Sequence, residues 1–354
     1  MMQVSCMGVT VASRRVGRKR GSVGSGRFAC GDERRQAKEQ RNAINLNAME
    51  LMGCGTALVT PFREDGSVDE PALHALVNWQ IEQGIGFLVP CGTTGEASTL
   101  TEQEWLRVVE VVIGAALGRV PVFAGCTHNA TREAVLRAQK LARVHGLSGI
   151  LTANPYYNRP GQEGQYQHFR AIAQAVDLPI LLYNIPSRSG TNLEPATVQR
   201  LAEEKNIIGI KESSGNVAQI TELLNTLPRA FKVFSGDDGM ALATIALGGI
   251  GLISVASNQI PAQMSLMVQA ALSNDWPTAR RINRHFSRLM AANFTEPSPA
   301  PVKAILTMMG KINETVRLPI VPVSAGTRRN LERLAGELGL LVDAPTAGGD
   351  LRMF

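Results

Sequence analysis

An amine, two neighbouring tyrosines, a threonine pair and an arginine lie along this chain at the ends of short apolar runs, and their types suit chemistry on a carbonyl. Lys211 ends the run Asn206-Ile-Ile-Gly-Ile-Lys-Glu-Ser. Buried parallel strands read as near-continuous Val/Ile/Leu runs, so a lysine at the exit of one needs a reason. Desolvation disfavours the ammonium form of an amine, and a neutral amine condenses with a ketone or aldehyde to form a Schiff base. The plainer reading is a lysine that snorkels from the strand end or pairs with Glu212.

Other apolar runs end in groups that could share such a site. Cys91-Gly-Thr-Thr-Gly-Glu96 offers Thr93 and Thr94 on a glycine-rich turn whose hydroxyls and amides could hold a carboxylate. Asn154-Pro-Tyr-Tyr-Asn-Arg-Pro160 carries Tyr156 and Tyr157, two of the four tyrosines in the chain. In Tyr183-Asn-Ile-Pro-Ser-Arg-Ser-Gly190 a phenol at a strand end could relay protons, and Arg188 could form a bidentate pair with a substrate carboxylate. Taken singly, these are a Gly/Thr turn, a turn packed by an aromatic and a surface arginine. Ser235-Gly-Asp-Asp238 could suggest a metal, but no His or third carboxylate is spaced to complete a site. A helix N-cap and a first-turn acid explain the two aspartates more simply, so neither metal nor cofactor is expected.

The elements that must position these groups alternate with a regular period. Strand-like runs fall at 55–60, 87–92, 120–126, 149–154, 180–185, 207–211, 232–235 and 251–255. Between them lie amphipathic stretches with readable ends. Asp69 caps a stripe of Leu73, Leu76, Val77 and Ile81 that closes at Gly84. Thr101-Glu-Gln-Glu104 is a capping box ahead of Trp105, Val108, Val109 and Val112. Asn129 or Thr131 starts the next, with Val135, Ala138, Leu141 and Ala142 facing inward before Gly146. Strand–helix alternation implies right-handed βαβ units, and eight of them fit a (β/α)8 TIM barrel better than an open sheet. No G-x-G-x-x-G follows the first strand, which counts against a dinucleotide fold. In such barrels the carboxyl ends of the strands form the active face, so Lys211 should point into the mouth. After residue 260 the strands stop, and 261–272, 276–292, 300–309 and 327–338 read as helices.

Composition sets the outer limits. The 354 residues are 44% hydrophobic with mean hydropathy near zero, which suits a globular protein with a sizeable core. No apolar run approaches the length needed to span a membrane. The formal net charge of +6 is local: residues 1–41 hold ten Lys/Arg against Asp32, Glu33 and Glu39, and the remainder holds 26 Lys/Arg against 27 Asp/Glu. The basicity therefore belongs to a Ser/Gly/Arg-rich leader, and no nucleic-acid partner is expected for the near-neutral body. Residues 1–49 read as a disordered basic leader or as a start placed upstream of Met49 or Met52, ahead of a transit-peptide reading. The expected organisation is thus a leader at 1–49, a barrel at 50–260, a small C-terminal helical extension at 261–345 and a tail at 346–354. Five cysteines without a C-x-x-C pair suit reduced thiols and a cytoplasmic location.

Read in order, G-T-T-G-E, P-Y-Y-N-R-P, Y-N-I-P-S-R-S-G, I-I-G-I-K-E, S-G-D-D and E-P-S-P-A-P-V-K resemble the dihydrodipicolinate synthase family over about residues 53–340. These are pyruvate-dependent class I lyases, related to N-acetylneuraminate lyase. The resemblance implies condensation of pyruvate with L-aspartate 4-semialdehyde through a Schiff base on Lys211, in lysine and diaminopimelate biosynthesis. It also implies a proton relay of Tyr183, Thr93 and Tyr157, with Tyr157 supplied by a neighbouring subunit of a homotetramer built from dimers. Thr94 matches the group that holds the pyruvate carboxylate, and Ile253 and Gly236 line the same pocket. Arg188 matches the group that binds the carboxylate of the semialdehyde. Thr93 and Arg188 favour the synthase over the N-acetylneuraminate lyases, which usually read G-S-T-G-E and lack that arginine; a related aldolase acting on a keto-sugar acid or N-acetylneuraminate is the alternative reading. Asn129, Glu133 and Tyr156 match the inhibitor site of lysine-regulated relatives, whereas Glu102 and Trp105 stand where some of those enzymes carry histidines and Ala97 replaces a small hydroxyl residue.

Overall fold

The computed structural model describes residues 51–341, so the leader and the tail lie outside the described residues. Eight strands run β1 (Gly53–Ala57), β2 (Phe87–Val89), β3 (Phe123–Gly125), β4 (Gly149–Ala153), β5 (Ile180–Asn184), β6 (Ile207–Glu212), β7 (Lys232–Ser235) and β8 (Gly251–Ser254). They pair in parallel in the order β2-β1-β8-β7-β6-β5-β4-β3. A bridge between Leu88 and Val122 brings the two ends together, and the Gly125 N–H donates to the Pro90 carbonyl at 2.9 Å. The result is a TIM barrel.

The helices are α1 (Glu70–Glu82), α2 (Glu102–Ala116), α3 (Thr131–Leu141), α4 (Gln162–Ala175), α5 (Pro195–Leu201), α6 (Val217–Thr226), α7 (Ala241–Ala246) and α8 (Pro261–Leu272). Their starts follow from local chemistry. The Asp69 carboxylate accepts from the Ala72 N–H at 3.1 Å, and Thr101 and Glu104 form the reciprocal capping box ahead of α2. Segment 261–272, grouped with the C-terminal region on sequence, packs as α8 against β1 and β8 and completes the outer ring. Three further helices follow, α9 (Trp276–Ala292), α10 (Ala300–Met308) and α11 (Ala325–Glu337).

Side chains alternate across each strand and so fill two separate cores. Phe87, Phe123, Leu151, Leu181, Tyr183, Phe234 and Ile253 pack inside the barrel, with Phe87 and Phe234 edge to face at 5.4 Å. Ile150, Leu182, Ile210, Val233 and Leu252 face outward beneath the helices. The inner core is what shapes the floor of the mouth.

Candidate active site

Along β6, Ile210 faces the helices, Lys211 turns inward and Glu212 turns outward again. Glu212 accepts from the Ser214 N–H at 2.6 Å, from Asn184 Nδ2 at 3.0 Å and from Gln219 Nε2 at 3.2 Å. It is therefore engaged on the far face of the strand, and the pairing with Lys211 offered by sequence does not form. Among the described residues no carboxylate lies within ion-pair distance of Lys211. Register places Tyr183 of β5 directly opposite, and Lys211 Nζ sits 4.3 Å from the centre of its ring. Lys211 is 4% exposed and Tyr183 6%.

Gly236, just past β7, makes this placement possible. A Cβ there would lie 2.8 Å from both Cγ and Cε of Lys211 and 1.9 Å from Ser213 Oγ. Any side chain at 236 would displace the lysine or the serine. Ile253 of β8 is fully buried in the same inner core as Tyr183.

The loop after β2 is wound tightly. The Gly95 N–H donates to Gly92 O and the Glu96 N–H to Thr93 O, both at 3.1 Å, while Thr60 Oγ1 donates to Gly95 O at 2.7 Å. Thr94 is buried and Thr93 exposed. The loop after β4 is open: Tyr157 is 86% exposed with φ +70°, a conformation few tyrosines adopt, and Tyr156 is 40% exposed. Arg159 pins this loop to the next one by donating from Nε to Gly190 O at 2.8 Å. Arg188 is exposed on the helical turn Pro186–Ser189. The single chain thus gathers Lys211, Tyr183, Gly236 and Ile253, while Thr93, Tyr157 and Arg188 stand on exposed loops with no bond to Lys211 or Tyr183 among the described residues.

Residues 50–338 match the family model of the Dihydrodipicolinate synthetase family. The chain belongs to that family. It is 62% identical to the 4-hydroxy-tetrahydrodipicolinate synthase of Acidobacterium capsulatum over 298 residues, 84% of this chain and 99% of that protein. The corresponding enzyme of Koribacter versatilis is 56% identical over 84% of this chain and all of its own length. A crystal structure of the chloride-inhibited dihydrodipicolinate synthase from Acinetobacter baumannii, complexed with pyruvate, aligns with TM-score 0.80 and 42% identity over 82% of this chain and 100% of that one.

Within this family frame the remaining polar groups sort by what they touch. Asp238 accepts from Ser254 Oγ and the Ala256 N–H, and Asp237 caps the turn after β7 through the Gly239 N–H, so both aspartates are occupied in holding the loops after β7 and β8. Among the described residues no group of three or more His, Cys, Asp or Glu is placed to hold a metal ion. Cys54, Cys91 and Cys126 are buried and free, and burial pushes their thiols up, Cys126 to about 12, which leaves them poor nucleophiles. Glu133 is exposed in the first turn of α3, with Asn129 half-buried just ahead of it. Glu102 is paired with Lys140 at 2.5 Å, and Trp105 donates from Nε1 to Gly125 O at 3.0 Å. Sequence reasoning passed over Ser213, whose buried Oγ has no hydrogen-bond partner beside the lysine stem. Nothing in its local pattern marks it.

Proposed function

We propose that this chain condenses pyruvate with L-aspartate 4-semialdehyde through a Schiff base on Lys211, giving 4-hydroxy-tetrahydrodipicolinate for lysine and diaminopimelate biosynthesis. The observation that carries the reading is a buried amine at the carboxyl end of β6, facing a phenol and lacking a carboxylate partner. Lys211 Nζ adds to the ketone carbon, the carbinolamine loses water, and the imine that results withdraws electrons from the pyruvate methyl group. A methyl proton leaves to give the enamine, whose carbon adds to the aldehyde as the aldehyde oxygen takes up a proton. The substrate amine then displaces Lys211 from the imine carbon, closing the ring and freeing the enzyme.

Tyr183 is the acid/base nearest the imine, and Thr93 and Tyr157 extend the proton relay. Thr94 holds the pyruvate carboxylate by hydroxyl and amide, Ile253 contacts the same substrate, and Gly236 lets the Lys211 stem pass. Arg188 takes the carboxylate of the semialdehyde as a bidentate pair. The exposure and left-handed backbone of Tyr157 support its insertion into a neighbouring subunit, and with it a dimer-based homotetramer. The enzyme acts in the cytoplasm; no helix among the described residues is long and apolar enough to cross a membrane. Asn129, Glu133 and Tyr156 form a candidate cleft for lysine as inhibitor, tested by whether lysine slows the initial rate and Glu133→Ala removes the effect.

Aldolases of keto-sugar acids or N-acetylneuraminate are not favoured, because the relatives at 62% and 56% identity carry the synthase's name. The deciding experiment compares acceptors in a coupled assay at fixed pyruvate. Aspartate semialdehyde should exceed small sugar aldehydes in kcat/KM by about 10³ or more, since a site built to pair a charged group rejects analogues lacking it. A preference for a sugar aldehyde overturns the reading.

A further inference from the structure

Glu96 closes the G-T-T-G-E turn, and its carboxylate is not needed for the chemistry just described. It is nevertheless 2% exposed and held in a left-handed conformation, φ +53°. An L side chain stays in that region only where its surroundings impose it. Both carboxylate oxygens are engaged by the C-terminal region. Oε1 lies 2.6 Å from Nζ of Lys303 on α10, an ion pair with both side chains fully enclosed, and Oε2 accepts from the Arg317 N–H at 3.0 Å.

The two cations are themselves fixed. Lys303 Nζ donates to Thr315 O at 2.9 Å and sits 4.1 Å from the centre of the Phe62 ring. The Arg317 guanidinium lies 4.3 Å from that ring, donates to Gly66 O and Thr99 O, and pairs with Glu104 of α2 at 2.5 Å. Burial pushes the Lys303 amine down to about 8, against the opposing pull of Glu96. A buried ion pair gains little over an apolar pair of the same shape, so stability is a weak reason for building one.

We infer that Glu96 is a positioning residue through which α10 and the segment carrying Arg317 set the backbone of Thr93 and Thr94. The inference rests on the reading of those threonines as the pyruvate-carboxylate loop. The link is short, because the Glu96 N–H closes the turn on Thr93 O, so moving Glu96 moves both threonines.

The test is a cycle of Glu96→Gln, Lys303→Met and the double variant in the full chain. Glu96→Gln keeps an oxygen for the Arg317 N–H, removes the charge and turns the atom facing Lys303 into an NH2 donor, so the pair with Lys303 is lost. In each folded single variant the KM for pyruvate should rise about tenfold while that for aspartate semialdehyde stays within about twofold. The neutral double variant should recover most of the loss, since neither member is left as a bare buried charge. A fall in Tm with pyruvate KM unchanged, equal losses for both substrates, or no recovery in the double variant would each overturn the proposal. If Lys303→Met does not fold, Glu96→Gln and the double variant carry the same comparison. Borohydride trapping of pyruvate on wild-type Lys211 separates the two ideas: its absence sinks the Schiff-base reading, whereas its presence with an unmoved pyruvate KM sinks only the positioning role.

Discussion

Lys211 and Lys303 are both shut away from water with an aromatic ring close by, yet only Lys303 meets a carboxylate. At the seam between the loop after β2 and α10, the Lys303 amine has Glu96 at 2.6 Å and the Thr315 carbonyl at 2.9 Å. At the barrel mouth, Lys211 has the Tyr183 ring at 4.3 Å and, along its stem, a glycine where a side chain would collide. A structural lysine has its charge answered by the protein. A lysine left without counter-charge at the barrel mouth is placed to be answered by a substrate. Burial alone does not separate the two.

The largest way to break this contrast is Lys211→Ala. Turnover should fall by about 10⁴-fold or more, as expected for removal of a covalent nucleophile, with the far-UV spectrum unchanged and Tm not lowered. Lys303→Met should do the reverse. Stability in urea should drop by about 3–5 kcal/mol, because Glu96 becomes a buried charge without its partner, while pyruvate at saturation can still be trapped on Lys211. Gly236→Ala comes next: with the Lys211 stem displaced, kcat should fall on the order of 10²-fold without loss of fold.

The smallest effect concerns the Arg317–Glu104 pair that backs the Lys303 seam. The Arg317 guanidinium holds the Glu104 carboxyl at about 2, below its ordinary 4.5. A depressed carboxyl contributes stability that is fully present above pH 4.5 and is lost as pH falls toward 2. Glu104→Gln should therefore flatten the acid limb of a Tm–pH profile, and only modestly, because this is a single pair whose side chains, 18% and 28% exposed, are partly screened by solvent. An unchanged limb would remove Glu104 from the account of the seam.

The barrel was legible because buried parallel strands announce themselves as apolar runs. The expected run 232–235 is β7, and 207–211 is β6 short of Glu212. The run at 120–126 shrinks to Phe123–Gly125, since Pro121 has no N–H for a ladder and Val122 makes only an isolated bridge. The helix expected from 327 begins at Ala325, because Ser324 caps it by accepting from the Thr327 N–H at 3.2 Å. Period-two alternation already implies that Glu212 and Lys211 face opposite ways, so the rejected pairing was readable from β6 itself. The Glu96–Lys303 pair was not readable. Its members are far apart in sequence, and each sits in a local pattern that fits a turn or a helix equally well. Ser213 was hidden for another reason: the close approach of its hydroxyl to position 236 depends on the missing side chain at Gly236, a strand away.

The central claim is that Lys211, and not the other buried amine, forms the covalent intermediate. The most direct measurement is borohydride reduction in the presence of pyruvate, followed by peptide mass mapping of every lysine. The account predicts one pyruvate-derived adduct, on Lys211, with Lys303 unmodified and no adduct in Lys211→Ala. No adduct in the wild type, or an adduct that persists in Lys211→Ala, contradicts it.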